Sequence, residues 1–238
     1  MNVRISGSGV IPAGEYDNIS VSGSSRMSGV VKCSSLSASG SLRGESLDCT
    51  GKIKTSGSTS LAGNVRANSI SASGTFKCGR DVFATDSIST SGTFKCGGSV
   101  KCNKLSVSGS VSVNAGIEAE RVESSGMLRC GGLINAEQVH VKSCDKLEAA
   151  SIGGTTVVIK LSKFKRFFKR IPIISGAVKN ARVANSIEAD EVNIEYVNCP
   201  KVMGRVVKIG RGCRIDSVEY SEKIEISNSA SVGKTEKI

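Results

Sequence analysis

The chain is poor in the residues that fill an ordinary globular core. Its 238 residues include six Phe, three Tyr and no Trp. Large rings usually dominate a compact interior, so their scarcity points to a narrow interior lined by small and aliphatic side chains. Proline is nearly absent, with three residues and none between Pro12 and Pro172. A long ladder of paired backbone needs that, because Pro removes a ladder donor. No run approaches the roughly 20 apolar residues of a membrane span. Met1 to Ile11 lacks the charged-then-apolar order of a secretion signal, and the expected location is therefore the cytoplasm. Nine Cys form no CxxC pair, and a cytoplasmic chain keeps such thiols free.

Small residues take the place of the missing bulk. There are 39 Ser and 27 Gly. That composition alone suits a flexible linker, but the hydrophobic residues, 39% of the chain, are strictly spaced. An SG dipeptide ends at Gly23, Gly40, Gly57, Gly74, Gly92, Gly109 and Gly126, at intervals of 17 or 18 residues. Seven repeats start at Ile19, Leu36, Ile53, Ile70, Ile88, Leu105 and Val122. Within each, apolar or small residues fall in three i, i+2 pairs about six residues apart, such as Leu105/Val107, Val111/Val113 and Ile117/Ala119. A period of two is the strand period. Three short strands per repeat, with Gly at the corners for its conformational freedom, make a closed three-sided coil.

The expected fold is all-β, a parallel β-helix (β-solenoid) with three faces and about 17 residues per coil. One coil cannot bury its own apolar side, so each stacks on the next. The pairs extend upstream to Val3/Ile5 and Ile11/Ala13. They continue downstream through Val139/Val141, Leu147/Ala149 and Val157/Ile159, and resume from Ile187/Ala189 to Ala230/Val232. About eleven coils give a rod roughly 50 Å long. The Ser before each SG glycine, Ser22 to Ser125, should face outward in one row.

The solenoid divides into coils over 1–159, an insert over 160–177 and further coils over 178–238. The insert, KLSKFKRFFKRIPIISGA, sets Leu161, Phe164, Phe168 and Ile171 at helical spacing and ends at Pro172. Lys163, Lys165, Arg166, Lys169 and Arg170 fill the other side, with Phe167 among the apolar residues. This is a short basic amphipathic helix pattern. It suits contact with an anionic membrane surface or a partner protein, and equally a helix packed on the solenoid. Net charge is +4 over 1–150, +8 over 151–186 and −1 over 187–238. The positive charge thus gathers locally, and no nucleic-acid partner is expected.

Catalytic signals are sparse. His140, the one histidine, falls between Val139 and Val141 and should point outward. Cys78, Cys96 and Cys130 share one inward column and Cys33 and Cys102 another, as core thiols do. Cys199 and Cys213 are expected to be more exposed. No catalytic, cofactor or metal residues are assigned, and no cofactor is expected.

GEYDNISVSGS at 14–24, the SG-punctuated coils and IEADEVNIEYVNCPKVMGRVVKIGRGCRIDSVEY at 187–220 carry a resemblance. The chain resembles the bactofilins, polymer-forming cytoskeletal proteins of bacteria. It differs in having the insert and no Pro-rich flanking tails. The resemblance implies a right-handed β-helix and a non-enzymatic scaffold that polymerises end to end near the cytoplasmic membrane. Its partners would be itself and envelope or motility proteins. Open strand edges agree with this, since a solenoid end can pair with another coil. Val3, Ile5 and Val10 at one end, with Ile224, Ile226 and Val232 at the other, are the expected polymerisation residues. Two other readings stay open. One is a hexapeptide-repeat acyltransferase, whose coils have a similar period and whose chemistry would need His140. The other is a monomeric solenoid adaptor that docks a partner through the insert. An ice- or glycan-binding array would need a secretion signal that is not seen.

Overall fold

The computed structural model describes residues 1–142, 146–160 and 181–238. Among these residues every regular element is a strand, and all the strands join one sheet. Every pairing in it is parallel, and partners lie one coil apart: Ile19 pairs with Leu36, Leu36 with Ile53, Ile53 with Ile70. The fold is a β-solenoid of about twelve turns with about 17 residues per coil. At the strand spacing this makes a rod about 60 Å long.

Each turn has three faces. Face I runs in register from Val3 through Leu105 to Ile224. Face II follows the SG corner and includes Leu42, Thr59, Phe76, Phe94, Val111 and Leu128 in one inward column. Face III includes Val65, Val82, Val100, Ile117 and Ile134. Inward residues alternate with outward ones as a strand requires, and the inward columns form one continuous core.

The core is narrow, and its columns show where. The second inward position of face III is small in turn after turn: Cys33, Cys49, Ala67, Ala84, Cys102, Ala136. Larger side chains, Tyr16 and Tyr220, take this column only near the two ends. Face II holds the bulk. Phe76 and Phe94 are both fully buried and stack with ring centroids 5.2 Å apart and planes 7° apart. Four buried hydroxyls, on Ser25, Thr55, Thr59 and Thr90, have no hydrogen-bond partner among the described residues. Each buried hydroxyl without a partner costs about 1–3 kcal/mol.

The SG corner has a steric cause, and here the structure corrects the expectation of conformational freedom. Among the described glycines only Gly14, Gly29 and Gly212 have positive φ. The SG glycines do not. A Cβ on Gly40 would lie 1.9 Å from the Gly23 carbonyl oxygen below it, and one on Gly109 2.1 Å from that of Gly92. Those same oxygens accept Ser41 N–H and Ser110 N–H at 2.9 and 2.8 Å. The corner of each coil sits directly on the corner beneath, and only glycine leaves room. The adjacent serines, Ser22 to Ser125, all point outward and are exposed, as the spacing predicts.

The ladder continues across the insert. The strand Leu147–Lys160 pairs with Ala181–Glu195 from Glu148↔Arg182 to Lys160↔Glu195, with one irregularity between Ala149 and Ser151. The chain leaves face I at Lys160 and rejoins at face II, at the position of the SG corner. There is about one turn more than the spacing predicts. The pairs Ala181/Val183, Val197/Cys199 and Val202/Gly204 also point inward, and Ile11 pairs with Gly9 rather than Ala13.

Candidate functional site

The two ends of the ladder are the first candidates. At the N-terminal end, Val3–Ile5 pairs on one side only, with the second turn. Val3 and Ile5 are half-buried inward residues on that open rim. The first turn is thin, because two of its inward positions are Gly9 and Gly14. Ile5 leans into the gap, with its Cδ1 3.1 Å from where a Cβ on Gly9 would be. Tyr16 covers part of the third face, and its hydroxyl donates to the Pro12 carbonyl at 2.9 Å. The Met1 ammonium pairs with Asp17 at 2.7 Å. Val10 does not belong to this rim. It is the outward neighbour of Ile11 in register with Arg26, and its side chain is 63% exposed on the outside of face II.

At the C-terminal end, Ser231–Lys237 pairs only with Arg214–Ile226. Ile224, Ala230 and Val232 are half-buried against the core and Ile226 is 40% exposed. The third face of this turn changes character, with Thr235 and Lys237 in the inward register of Val218 and Tyr220. The rim is thus apolar on two faces and polar on one. Glu225 holds the last two turns together, meeting Lys208 at 2.6 Å and Lys223 at 2.7 Å. Those two ammonium groups pull its carboxyl down to about 2.

The insert residues Lys163, Phe164, Lys165, Arg166, Phe167, Phe168, Lys169 and Arg170 lie outside the described residues. His140 is half-buried and points outward on face I beside Glu123. It lines a depression of about 290 Å³ with Ser106, Ser124 and Lys142. The Glu123 carboxyl is held below its usual range, first by its hydrogen bond with Lys104.

The eight described cysteines are all buried. Cys199 and Cys213 are among them, which corrects the expectation that they are exposed; both fill inward positions of face II. The thiols near the corner between faces II and III also satisfy its carbonyls. Cys78 donates to Gly63 O at 3.0 Å, Cys96 to Arg80 O at 3.0 Å and Cys199 to Lys201 O at 3.1 Å. Burial pushes Cys102 up to about 12 and Cys199 up to about 11, so both are protonated at neutral pH. No cluster of three His, Cys, Asp or Glu suited to a metal ion occurs among the described residues. Nor is any described helix long and apolar enough to cross a membrane.

A protein of Bacillus subtilis (strain 168) is similar over part of this chain. It is described as the uncharacterized protein YhbF and is 36% identical over 83 residues. The match covers 35% of this chain and 32% of the relative, so the similarity spans about a third of each. No family model and no solved structure matches the chain.

Proposed function

We propose that this protein is a non-enzymatic scaffold that polymerises by stacking its coil ends, as the resemblance to bactofilins implies. The observation that carries the reading is the pair of open rims. Each end presents a strand edge with unsatisfied backbone groups around half-exposed aliphatic residues: Val3 and Ile5 at one, Ile224, Ile226 and Val232 at the other. Among the described residues no element covers either rim. Solenoids that stay apart usually carry polar caps on their terminal coils. In this reading the rod works in the cytoplasm near the membrane, and the segment 160–177 adds a contact to anionic lipid or a partner.

Negative-stain electron microscopy of the purified chain at physiological salt tests this. Filaments or ribbons are expected. Ile5→Lys combined with Ile226→Lys places a charge on each rim and should leave single rods about 60 Å long, the height of about twelve stacked strands. Discrete rods of the unaltered chain at high concentration would overturn the proposal.

A further inference from the structure

The outward column of face II is basic along the whole rod. Consecutive turns place Arg26 against Arg43 and Lys77 against Lys95, with Arg182 and Arg214 further along. All six are exposed and none lies within 4 Å of a carboxylate among the described residues, although Arg182 stands in register with Glu148 and helps to hold its carboxyl down. A seventh cation, Arg129, pairs with Glu148, the single carboxylate of the column, at 3.0 Å. Face III differs. Its outward column carries Glu15, Lys32, Asp48, Arg66, Lys101 and Glu118, then Glu188, Glu219 and Glu236. There Lys32 and Lys101 each meet a carboxylate of the adjacent turn.

Like charges stacked one strand spacing apart repel each other. They are favourable when the surface meets a dense array of anions. A depression of about 1330 Å³ lies on the same face, at its N-terminal end. Arg26 and Arg43 line it with serine hydroxyls (Ser8, Ser24, Ser41), together with one carboxylate, Glu45. Exposed Val10 lines it too, adding an aliphatic group beside the two guanidiniums. Cations, hydroxyls and an aliphatic side chain on one flat face match the headgroup region of a bilayer. Single-stranded nucleic acid would call for exposed rings to stack on, and both aromatic residues of this face, Phe76 and Phe94, are buried.

We infer that face II is a membrane-apposing surface, on which the rod lies lengthwise against anionic phospholipid headgroups. The surface is present on a single rod. It needs neither the polymerisation proposed above nor the segment 160–177.

The test is co-sedimentation with vesicles of equal parts phosphatidylglycerol and phosphatidylcholine, using the full chain carrying Ile5→Lys and Ile226→Lys so that filament avidity does not enter. Arg26→Gln, Arg43→Gln, Lys77→Gln and Lys95→Gln together should lower partitioning about a hundredfold or more, since each surface cation contributes about fivefold. The control removes four charges elsewhere, Lys32→Gln, Lys54→Gln, Arg66→Gln and Lys101→Gln. It should lose less than about tenfold, because those side chains face away from the lipid and act across a Debye length. Equal losses in the two variants, or no loss in the first, would overturn the inference. So would binding to duplex DNA that depends on the face II cations while vesicle binding does not. Orientation gives a second readout, because the chain has no Trp. Ser112→Trp on face II should shift its emission to the blue on these vesicles, and Asn135→Trp on face III should not. The same shift in both would exclude a preferred face. A failure of filaments to form leaves each of these outcomes readable.

Discussion

Faces II and III run side by side along the ladder, share every hydrogen-bonding rule and close the same core. Inside, they differ in depth. Face II accommodates the stacked Phe76 and Phe94 at its first inward position, where face III holds Val65, Val82 and Val100. Outside, they differ in charge. Face II carries cations with the single carboxylate Glu148 among them, whereas face III mixes both signs, with Lys32 and Lys101 meeting carboxylates of adjacent turns and Glu219 stacked on Glu236. The interior is decided by the distance between walls, which permits few exchanges. The exterior is decided turn by turn, because an outward side chain touches little beyond its neighbours above and below. A solenoid can therefore keep one core and give each side a different chemistry.

The contrast can be broken from the inside first. Phe94→Ala should destabilise by about 3–5 kcal/mol, since the surrounding turns hold the cavity open. Val100→Ala, on the shallower face III, should cost only about 1–3 kcal/mol. Urea unfolding would show the difference, and equal losses would mean that the two walls are equally deep.

The corners come next. Gly109→Ala drives a Cβ into the Gly92 carbonyl, whereas a Cβ on Gly116 comes no closer than 3.2 Å to the Leu133 carbonyl. The first change should cost about 1–3 kcal/mol and the second less than about 1 kcal/mol. Similar thermal midpoints for the two variants would remove the steric account of the SG corner.

The smallest effect concerns the outside. Lys95→Glu places a carboxylate next to Lys77 and turns one step of face II into a face III step. It should raise stability by about 0.2–1 kcal/mol, and less at high salt. A drop in stability would mean that the stacked cations are not in repulsion. If the variant gains stability but loses vesicle binding, the like-charge stack serves the surface and not the fold.

Much of this architecture was legible in the chain. The SG interval set the coil length, and Ile, Leu and Val at the first position of each pair marked the walls. Turns were missed where that signal faded. Ala181/Val183 and Val202/Gly204 each pair one Val with a residue too small to complete the pattern, though they fill the same columns as Val197/Cys199 and Ile152. The inward places of Cys199 and Cys213 are hidden for a related reason, since thiols give no apolar pattern until their columns are known. The SG glycines were visible, but their cause was not: it lies in a carbonyl 17 residues earlier, and no local rule of turn geometry contains it. The basic column was hidden by linear bookkeeping. Arg26, Arg43 and Lys77 stand a turn or more apart, and a window over 1–150, which takes in the acids of the other faces, averages them to +4. Val10 is apolar and close to the rim in sequence, but its parity in the strand turns it outward.

The in-register stacking of identical corners has a consequence for the gene. Removing or duplicating one 17-residue unit would leave every remaining corner seated on a like corner and every inward column unbroken. The rod would become shorter or longer by one strand spacing, about 4.8 Å. Unequal recombination within the SG region could therefore adjust length in fixed increments, so that the number of repeats acts as a ruler while the two rims and the outer faces stay as they are.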